Sequence, residues 1–566
     1  MNIKILDSWL KEYVKTNASP QKIAQLLSLS SVSVERLEAY KDDFLYDIEI
    51  TTNRPDLMSL TGLARETAAV LTQNGIQATF TPIKPRVIPD SDRGSMDSPT
   101  PVKQAVSLRP TLRGNDKVEI SIKTDPQFTN RVMAVVMEVT VKPSPELVKD
   151  RLEATDIRSL SNLIDITNYV MRVVGHPTHV FDYDRLNTKT LTIRGAKTGK
   201  KIETLDNKTH TLQNGDIIAV DDSGRIIDLL AIMGLENSVV TDQTKRILFF
   251  LDNDDAHQIR KTSMTLGIRS EAAVLNEKGV DPELATDAFA YGIELFKEFA
   301  DGKIVSEIID IYPNKTKPTT VTVTSEQINT VIGVKVPLNK AAEIIERLGF
   351  KATVNGDQLT ATPPSFRAKD IGIPEDIIEE IARIYGYQNI PDKLPTFDQA
   401  IPYNQEKNTF FWEDRVKDML KYWGFTEVYT YPMVPKHLYD GSSTEAVTIA
   451  NPLSEEFISM RRNLTPSLLR VLEENKKYDT IQIFELANVY KKKQNDLPEQ
   501  TLVLGFAIKK PHASFFELKG IIEQLFIDLG VQEITYVATE TGAKIMLEKE
   551  TLGTITIQDD TIITSE

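Results

Sequence analysis

Pro364-Ser365-Phe366-Arg367-Ala368-Lys369-Asp370-Ile371-Gly372-Ile373-Pro374-Glu375-Asp376-Ile377-Ile378-Glu379-Glu380-Ile381-Ala382-Arg383-Ile384-Tyr385-Gly386-Tyr387 carries five acids on a helical pattern. Pro374 suits a first helical turn, and Ile377, Ile381 and Ile384 recur as a buried stripe would. Asp376, Glu379 and Glu380 then fall at i, i+3 and i+4, on one side of that helix, with Asp370 upstream within reach. Like charges so placed cost about a few tenths of a kcal/mol per pair unless neutralised. A divalent cation with oxygen ligands, magnesium above all, would neutralise them. Acids near a helix start also favour its dipole and solubility without any ion. Spacing leaves both readings open.

Upstream, Ala341, Ile344, Ile345 and Leu348 keep helical spacing, with Gly349 as a stop, inside a small unit expected over 315–392. Residues 117–310 mix short apolar runs such as Val132 to Val141 with helical segments, predicting an α+β domain. Residues 86–116 are rich in Pro, Ser, Asp and Arg without periodicity and read as a linker. Residues 1–85 form an N-terminal α/β module: Ser19-Pro20 opens a helix carrying Ile23, Leu26 and Leu27, and Tyr46 to Ile50 alternates like a strand. Beyond 393, the stripe Trp412, Val416, Met419, Leu420 and Trp423 marks a helix, followed by strands near Ile481 to Leu486 and Leu502 to Ile508 and a helix at Phe515 to Leu529. The fold class expected is α+β multidomain.

The chain has 566 residues, no cysteine, six histidines and a net charge of -15. Disulfides and thiolate metal sites are excluded. A phosphate-neutralising surface over the whole chain is not expected, so RNA contacts would be local or supplied by a partner. No apolar run has the length of a membrane span, and the reading is cytoplasmic, without membrane or DNA partners.

The acid-rich stretch, continued by Gln388-Asn389-Ile390-Pro391, resembles the signature of the phenylalanyl-tRNA synthetase beta chain. Three further segments resemble that family in the same order. They are Thr51-Thr52-Asn53-Arg54-Pro55-Asp56 with Gly62-Leu63-Ala64-Arg65-Glu66; Leu163 to Val170 with Gly175-His176-Pro177-Thr178-His179; and Met460 to Leu469 with Ile483-Phe484-Glu485. The resemblance implies an editing-like domain at 117–310, a small winged-helix or α+β domain at 315–392, and a class II synthetase-like antiparallel sheet at 393–566. It also implies magnesium held by Asp370, Asp376, Glu379 and Glu380 at the junction with an alpha chain. The complex would be an alpha2beta2 heterotetramer using ATP to attach phenylalanine to its tRNA. Two departures are expected: no OB-fold inserted between Val34-Glu35 and Tyr46-Asp47, and no C-terminal anticodon-binding domain.

The resemblance places Thr167, His179, Ala231, Phe250 and Ala272 at the pocket that, in the family, hydrolyses tyrosine wrongly attached to the tRNA. His179 could orient a water there, or be an ordinary histidine in a turn. Pro177 weakens His176 and His179 as a metal pair. Phe250 stands where the family has a glutamate for the tyrosine hydroxyl, and Ala231 where it has a glycine. A phenyl ring cannot accept that hydrogen bond, so editing is expected to be weak or lost. In 393–566, Ile483-Phe484-Glu485-Leu486 stands where an active relative carries an arginine, and no P-loop or dinucleotide fingerprint occurs. That region is expected to be a scaffold for the alpha chain, with the tryptophan stripe serving either an interface or its own core. A free-standing hydrolase of mischarged tRNA and a non-enzymatic binding protein are the rival readings.

Overall fold

The structure, a computed structural model, describes residues 2–83, 118–394, 407–438 and 446–566. It is a mixed α and β, multidomain chain that divides into two compact units, Met1–Leu394 and Pro395–Glu566. The stretch read as a linker lies outside the described residues.

In the first unit, Ser19 accepts from the Lys22 amide and starts the helix Pro20–Ser30, which buries Ile23, Leu26 and Leu27. The strand Asp43–Glu49 sits between Asn2–Leu6 and Ser33–Tyr40 in a three-stranded antiparallel sheet. Ser33–Tyr40 and Asp43–Glu49 form a hairpin, with Lys41 at positive φ in its turn.

Two five-stranded sheets follow. In one, Arg246–Asp254 lies between Thr129–Glu138 and His179–Asp182, all antiparallel. In the other, Ile217–Val220 lies between Thr190–Gly195 and Ile226–Leu229. Arg246–Asp254 is covered on both faces, which explains its continuous apolar run. Phe249 stacks on Phe289 at 4.8 Å on the helical side, while Phe250 packs with Val132, Ala134 and Phe181 on the other. The first strand of this region is the short Ser121–Lys123.

The small region beyond 320 has strands Val321–Thr324, Lys351–Asn355 and Gln358–Thr362 packed with helices. Helix Leu338–Arg347 buries Ala341, Ile344 and Ile345, and Gly349 at φ +92 turns the chain as a stop should. Helix Pro374–Tyr385 begins on Pro374 and buries Ile377, Ile381 and Ile384.

The second unit is built on a seven-stranded sheet whose longest pair, Ile481–Lys491 and Glu499–Lys509, is antiparallel and lies next to the edge strand Thr426–Glu427. Among the described strands of this sheet, only the short Thr426–Glu427 pairs in parallel. Helix Thr409–Tyr422 buries Val416 and Leu420, with Met419 and Trp423 half-buried against the same core. The stripe is thus largely internal to the unit.

Candidate functional site

The acid-rich stretch folds back on the N-terminal motif. Glu380 is buried and accepts four N–H bonds, two from Arg367 at 2.9 Å and two from Arg383 at 2.9 and 2.5 Å. Arg383 continues to Glu66, which also accepts from Ser31 and from Arg54. Arg54 closes a bidentate pair with Asp56, and Arg65 lies over the Phe366 ring at 3.6 Å. The two sequence motifs therefore meet as one buried ion network, in which forked guanidiniums satisfy planar carboxylates.

Burial would raise the Glu66 carboxyl, but Arg383 and Arg54 outweigh it and hold the group at about 2. Glu380, likewise opposed by burial, is held well below the usual carboxylate range by Arg383 and Arg367. Asp370 behaves differently: burial raises its pKa even though Arg367 donates to both its oxygens. Arg367 sits between the two acids, and its stronger commitment is to the more deeply buried Glu380.

These contacts decide how the four acids named for magnesium fit a cation. Glu380 is committed to two arginines and Asp370 to one. Asp376 accepts from the amides of Gly372 and Ile373 at 2.7 and 3.0 Å, closing the start of its helix. Glu379 faces outward. Among the described residues no group of three or more histidines or acids is disposed to hold a metal ion. Arginines thus already answer Glu380 and Asp370, while Asp376 and Glu379 have no arginine partner among the described residues. Sequence reading missed Arg54, Asp56, Glu66, Arg367 and Arg383; their signal was acid and arginine alternating within both motifs.

The residues named for the editing pocket lie near the junction of the two five-stranded sheets. His179 stands directly across from Phe250 in the strand register, and its ring meets Phe181 edge-on at 4.5 Å. Phe181 in turn meets Phe250 at 5.5 Å. Part of His179 reaches the surface, yet its ring is desolvated deeply enough to lower its pKa to about 4, so it is neutral at pH 7. Gly234 lies against this ring, where a Cβ would come within 3.1 Å of Cε1.

Thr167, on helix Asn162–Val174, donates its hydroxyl to the Ile164 carbonyl at 2.7 Å. Ala272 is half-buried on helix Glu271–Asn276, whose cap Ser270 donates to Ile232, next to Ala231. Ala231 itself has φ +59, a left-handed conformation that a glycine adopts without penalty. Ala231→Gly should therefore raise the stability of the first unit by about 1 kcal/mol, read as a higher denaturant midpoint at unchanged m. An unchanged or lower midpoint would mean that the methyl group packs well enough to offset the strain.

His176 is fully buried and faces other partners. Its Nδ1 meets the Pro177 carbonyl at 2.9 Å and its Nε2 meets the Asn253 amide at 3.1 Å. A neutral ring donating from Nδ1 and accepting at Nε2 satisfies both, so its role is structural.

In the second unit, Glu485 is buried and paired with Arg461 at 2.7 Å, while Thr430 donates to its other oxygen at 2.7 Å. Arg461 also donates to the Asn488 carbonyl. Its charge is thereby neutralised inside the sheet and is not presented to a phosphate.

Family models match three regions in order: a B3/4 domain at 127–301, a tRNA synthetase B5 domain at 321–387 and a phenylalanyl tRNA synthetase beta chain CLM domain at 390–557. Three phenylalanine–tRNA ligase beta subunits are similar over most of the chain. That of Carboxydothermus hydrogenoformans is 31% identical over 540 residues, 90% of this chain and 64% of the relative. The Clostridium acetobutylicum subunit is 32% identical over 507 residues, 88% and 60%. The Thermotoga maritima subunit is 32% identical over 540 residues, 91% and 64%. The chain thus spans less than two thirds of the length of these relatives. It is to the phenylalanine–tRNA ligase beta subunits that this chain is related, with its B3/4, B5 and CLM domains in that order.

Proposed function

We propose that the chain serves as the beta subunit of a phenylalanine–tRNA ligase, in an alpha2beta2 complex whose alpha chains carry the ATP-dependent attachment of phenylalanine to its tRNA. The observation that carries this reading is the ordered run of B3/4, B5 and CLM domains within one chain. On this reading residues 1–85 are the N-terminal module, 86–116 a linker, 117–310 the editing-like domain and 315–392 the small winged-helix or α+β domain. Residues 393–566 are a class II synthetase-like scaffold without an aminoacylation site of its own. The burial of Arg461 against Glu485 favours that last assignment, since activation of an amino acid needs cations aimed at phosphate oxygens. Exposed Tyr429, Tyr431 and Phe410 favour a protein partner on the same unit. Asp370, Asp376, Glu379 and Glu380 are proposed to hold magnesium at the junction with the alpha chain, and ATP is a substrate of the complex. None of the described helices is long and apolar enough to cross a membrane.

Co-expression with an alpha subunit from the same genome tests the proposal. A stable complex should charge phenylalanine tRNA while neither chain does so alone. Charging by this chain alone, or the absence of any complex, would overturn the reading and revive a free-standing hydrolase or a binding protein.

Proofreading of tyrosine is proposed to be weak or lost. At Phe250 the cross-strand neighbour of His179 is a fully buried phenyl ring, with nothing to accept a tyrosine hydroxyl. Tyrosyl-tRNA incubated with the complex should deacylate at close to the uncatalysed rate. Rapid deacylation abolished by His179→Ala would refute this.

A further inference from the structure

We infer that Asn355, at the tip of a hairpin in the B5 region, is a site of spontaneous deamidation, with the chain's own backbone as the nucleophile and water as the second reactant. Asn-Gly is the dipeptide in which this reaction meets least resistance, because glycine brings no Cβ to crowd the attacking nitrogen. The chain holds three such pairs, Asn74-Gly75, Asn214-Gly215 and Asn355-Gly356. The fold treats them unequally.

In each pair the glycine nitrogen must lose its proton and attack the asparagine Cγ. A carbon–nitrogen bond forms, the side-chain nitrogen leaves as ammonia, and a five-membered succinimide results. Water then opens the ring. Breaking the bond from nitrogen to the side-chain carbonyl gives aspartate; breaking the bond to the main-chain carbonyl gives isoaspartate. Nothing is oxidised or reduced.

An N–H held in a hydrogen bond is shielded from the base that must remove its proton, as in amide exchange. The Gly75 N–H donates to the Thr72 carbonyl at 3.1 Å, and the Asn74 side chain is itself tied to the Val70 carbonyl at 2.9 Å where its helix ends. The Gly215 N–H donates to the Ala196 carbonyl at 3.1 Å. Gly356 differs from both. Asn355 and Gln358 are the last pair between strands Lys351–Asn355 and Gln358–Thr362, and Gly356 and Asp357 form the two-residue turn. Both Asn355 and Gly356 are exposed, Gly356 at φ +62. Neither the Gly356 N–H nor the Asn355 side chain has a hydrogen-bond partner among the described residues. A Cβ on Gly356 would meet no neighbour within 4 Å, so base and water reach both reacting atoms. The rotation that brings nitrogen to Cγ opens the Asn355–Gln358 pair, at the end of the hairpin where fraying costs least.

The product changes the turn. Isoaspartate adds a main-chain carbon to a loop whose length fixes its type. The Asp357 carbonyl in that turn accepts from the Ser325 amide at 2.8 Å, and Gln358 lies across from Thr324, the cap of helix Ser325–Ile332. Aged molecules therefore carry a new carboxylate at the tip and a loosened start to that helix.

Peptide mapping by mass spectrometry, on the full-length chain incubated at mildly alkaline pH, tests the inference. Asn355 should convert at least about fivefold faster than Asn214 or Asn74, the factor for one protecting hydrogen bond, with isoaspartate the larger product. In urea the three rates should converge, because the protection is structural. Asn355→Gln, whose longer side chain closes no five-membered ring, should abolish conversion at this site and leave the other two unchanged. Equal rates in the folded chain, a ranking that survives unfolding, or aspartate without isoaspartate would overturn the inference. In the isoaspartyl fraction the Ser325 amide should exchange faster than in fresh protein, with the buried Ile345 amide as the unchanged control. Unaltered exchange at Ser325 would overturn the link between the turn and the helix.

Discussion

Glu380→Gln should destabilise the first unit by about 3–5 kcal/mol at pH 7, the range found when one member of a buried ion pair is removed. The substitution keeps the shape of the side chain but removes the charge that four guanidinium N–H groups converge upon. Glutamine can accept through one oxygen only, and its NH2 group would point at another donor. Arg367 and Arg383, both buried, would keep Asp370 and Glu66 respectively but lose the counter-charge they share.

The pH dependence distinguishes this cost from a simple packing defect. Glu380 has a folded pKa well below its unfolded value, so its contribution is present above about pH 4.3 and is lost only as pH falls through the folded value. Urea unfolding should show the full difference between variant and wild type at pH 7 and a shrinking one below pH 4. A difference under about 1 kcal/mol at pH 7, the range of exposed pairs, would mean that water or rearrangement satisfies the arginines and that the network is not what joins the two motifs.

The same network shows where sequence reading stops. Helix Pro374–Tyr385 was legible because proline placement and a 3.6-residue stripe are local properties, and Ile377, Ile381 and Ile384 could be named as buried from spacing alone. The environment of its acids was not legible. Counting charges along one helix finds Asp376, Glu379 and Glu380 repelling one another. The cations that answer Glu380 come from Arg367, thirteen residues upstream and outside the helix, and from Arg383 on the next turn. Glu66, more than three hundred residues away, shares the second of them. Counting like charges therefore does not reveal the arginines that the fold brings to Glu380 and Asp370. The pocket residues were named by likeness to a family, and nothing local marked them. Phe249 and Phe250 lie in a run without alternation because both faces of their strand are covered, so only the three-dimensional packing tells which ring faces His179.

Asp254→Asn should stabilise the first unit at pH 7.5 by about 2 kcal/mol, because the buried Asp254 carboxyl must take up a proton on folding and asparagine need not. Asp252 and Asp254 lie on the same face of their strand as Phe250, both buried between the two sheets, and Asp228 approaches from the opposite sheet. None of the three forms an ion pair among the described residues, and both Asp254 oxygens lack a hydrogen-bond partner. Burial, and then the charge of Asp252, push the Asp254 pKa well above its ordinary value; burial also raises Asp252. Such a group stays protonated in the fold, so its contribution is complete below the unfolded value of about 3.9 and is lost as pH rises through the raised folded value. This sign is opposite to that of Glu380. The asparagine variant carries no such titration, so its advantage over wild type should be small at pH 5 and largest at pH 8. Interaction with the Asp254 side chain, and then the backbone amides of Asp252 and Ala231, oppose the shift at Asp252, which makes Asp254 the better choice for substitution. Urea midpoints of the two proteins at pH 5, 6.5 and 8 measure it directly. A variant less stable than wild type at pH 8, or an advantage that does not grow with pH, would mean that the pair is ionised and solvated in the folded protein.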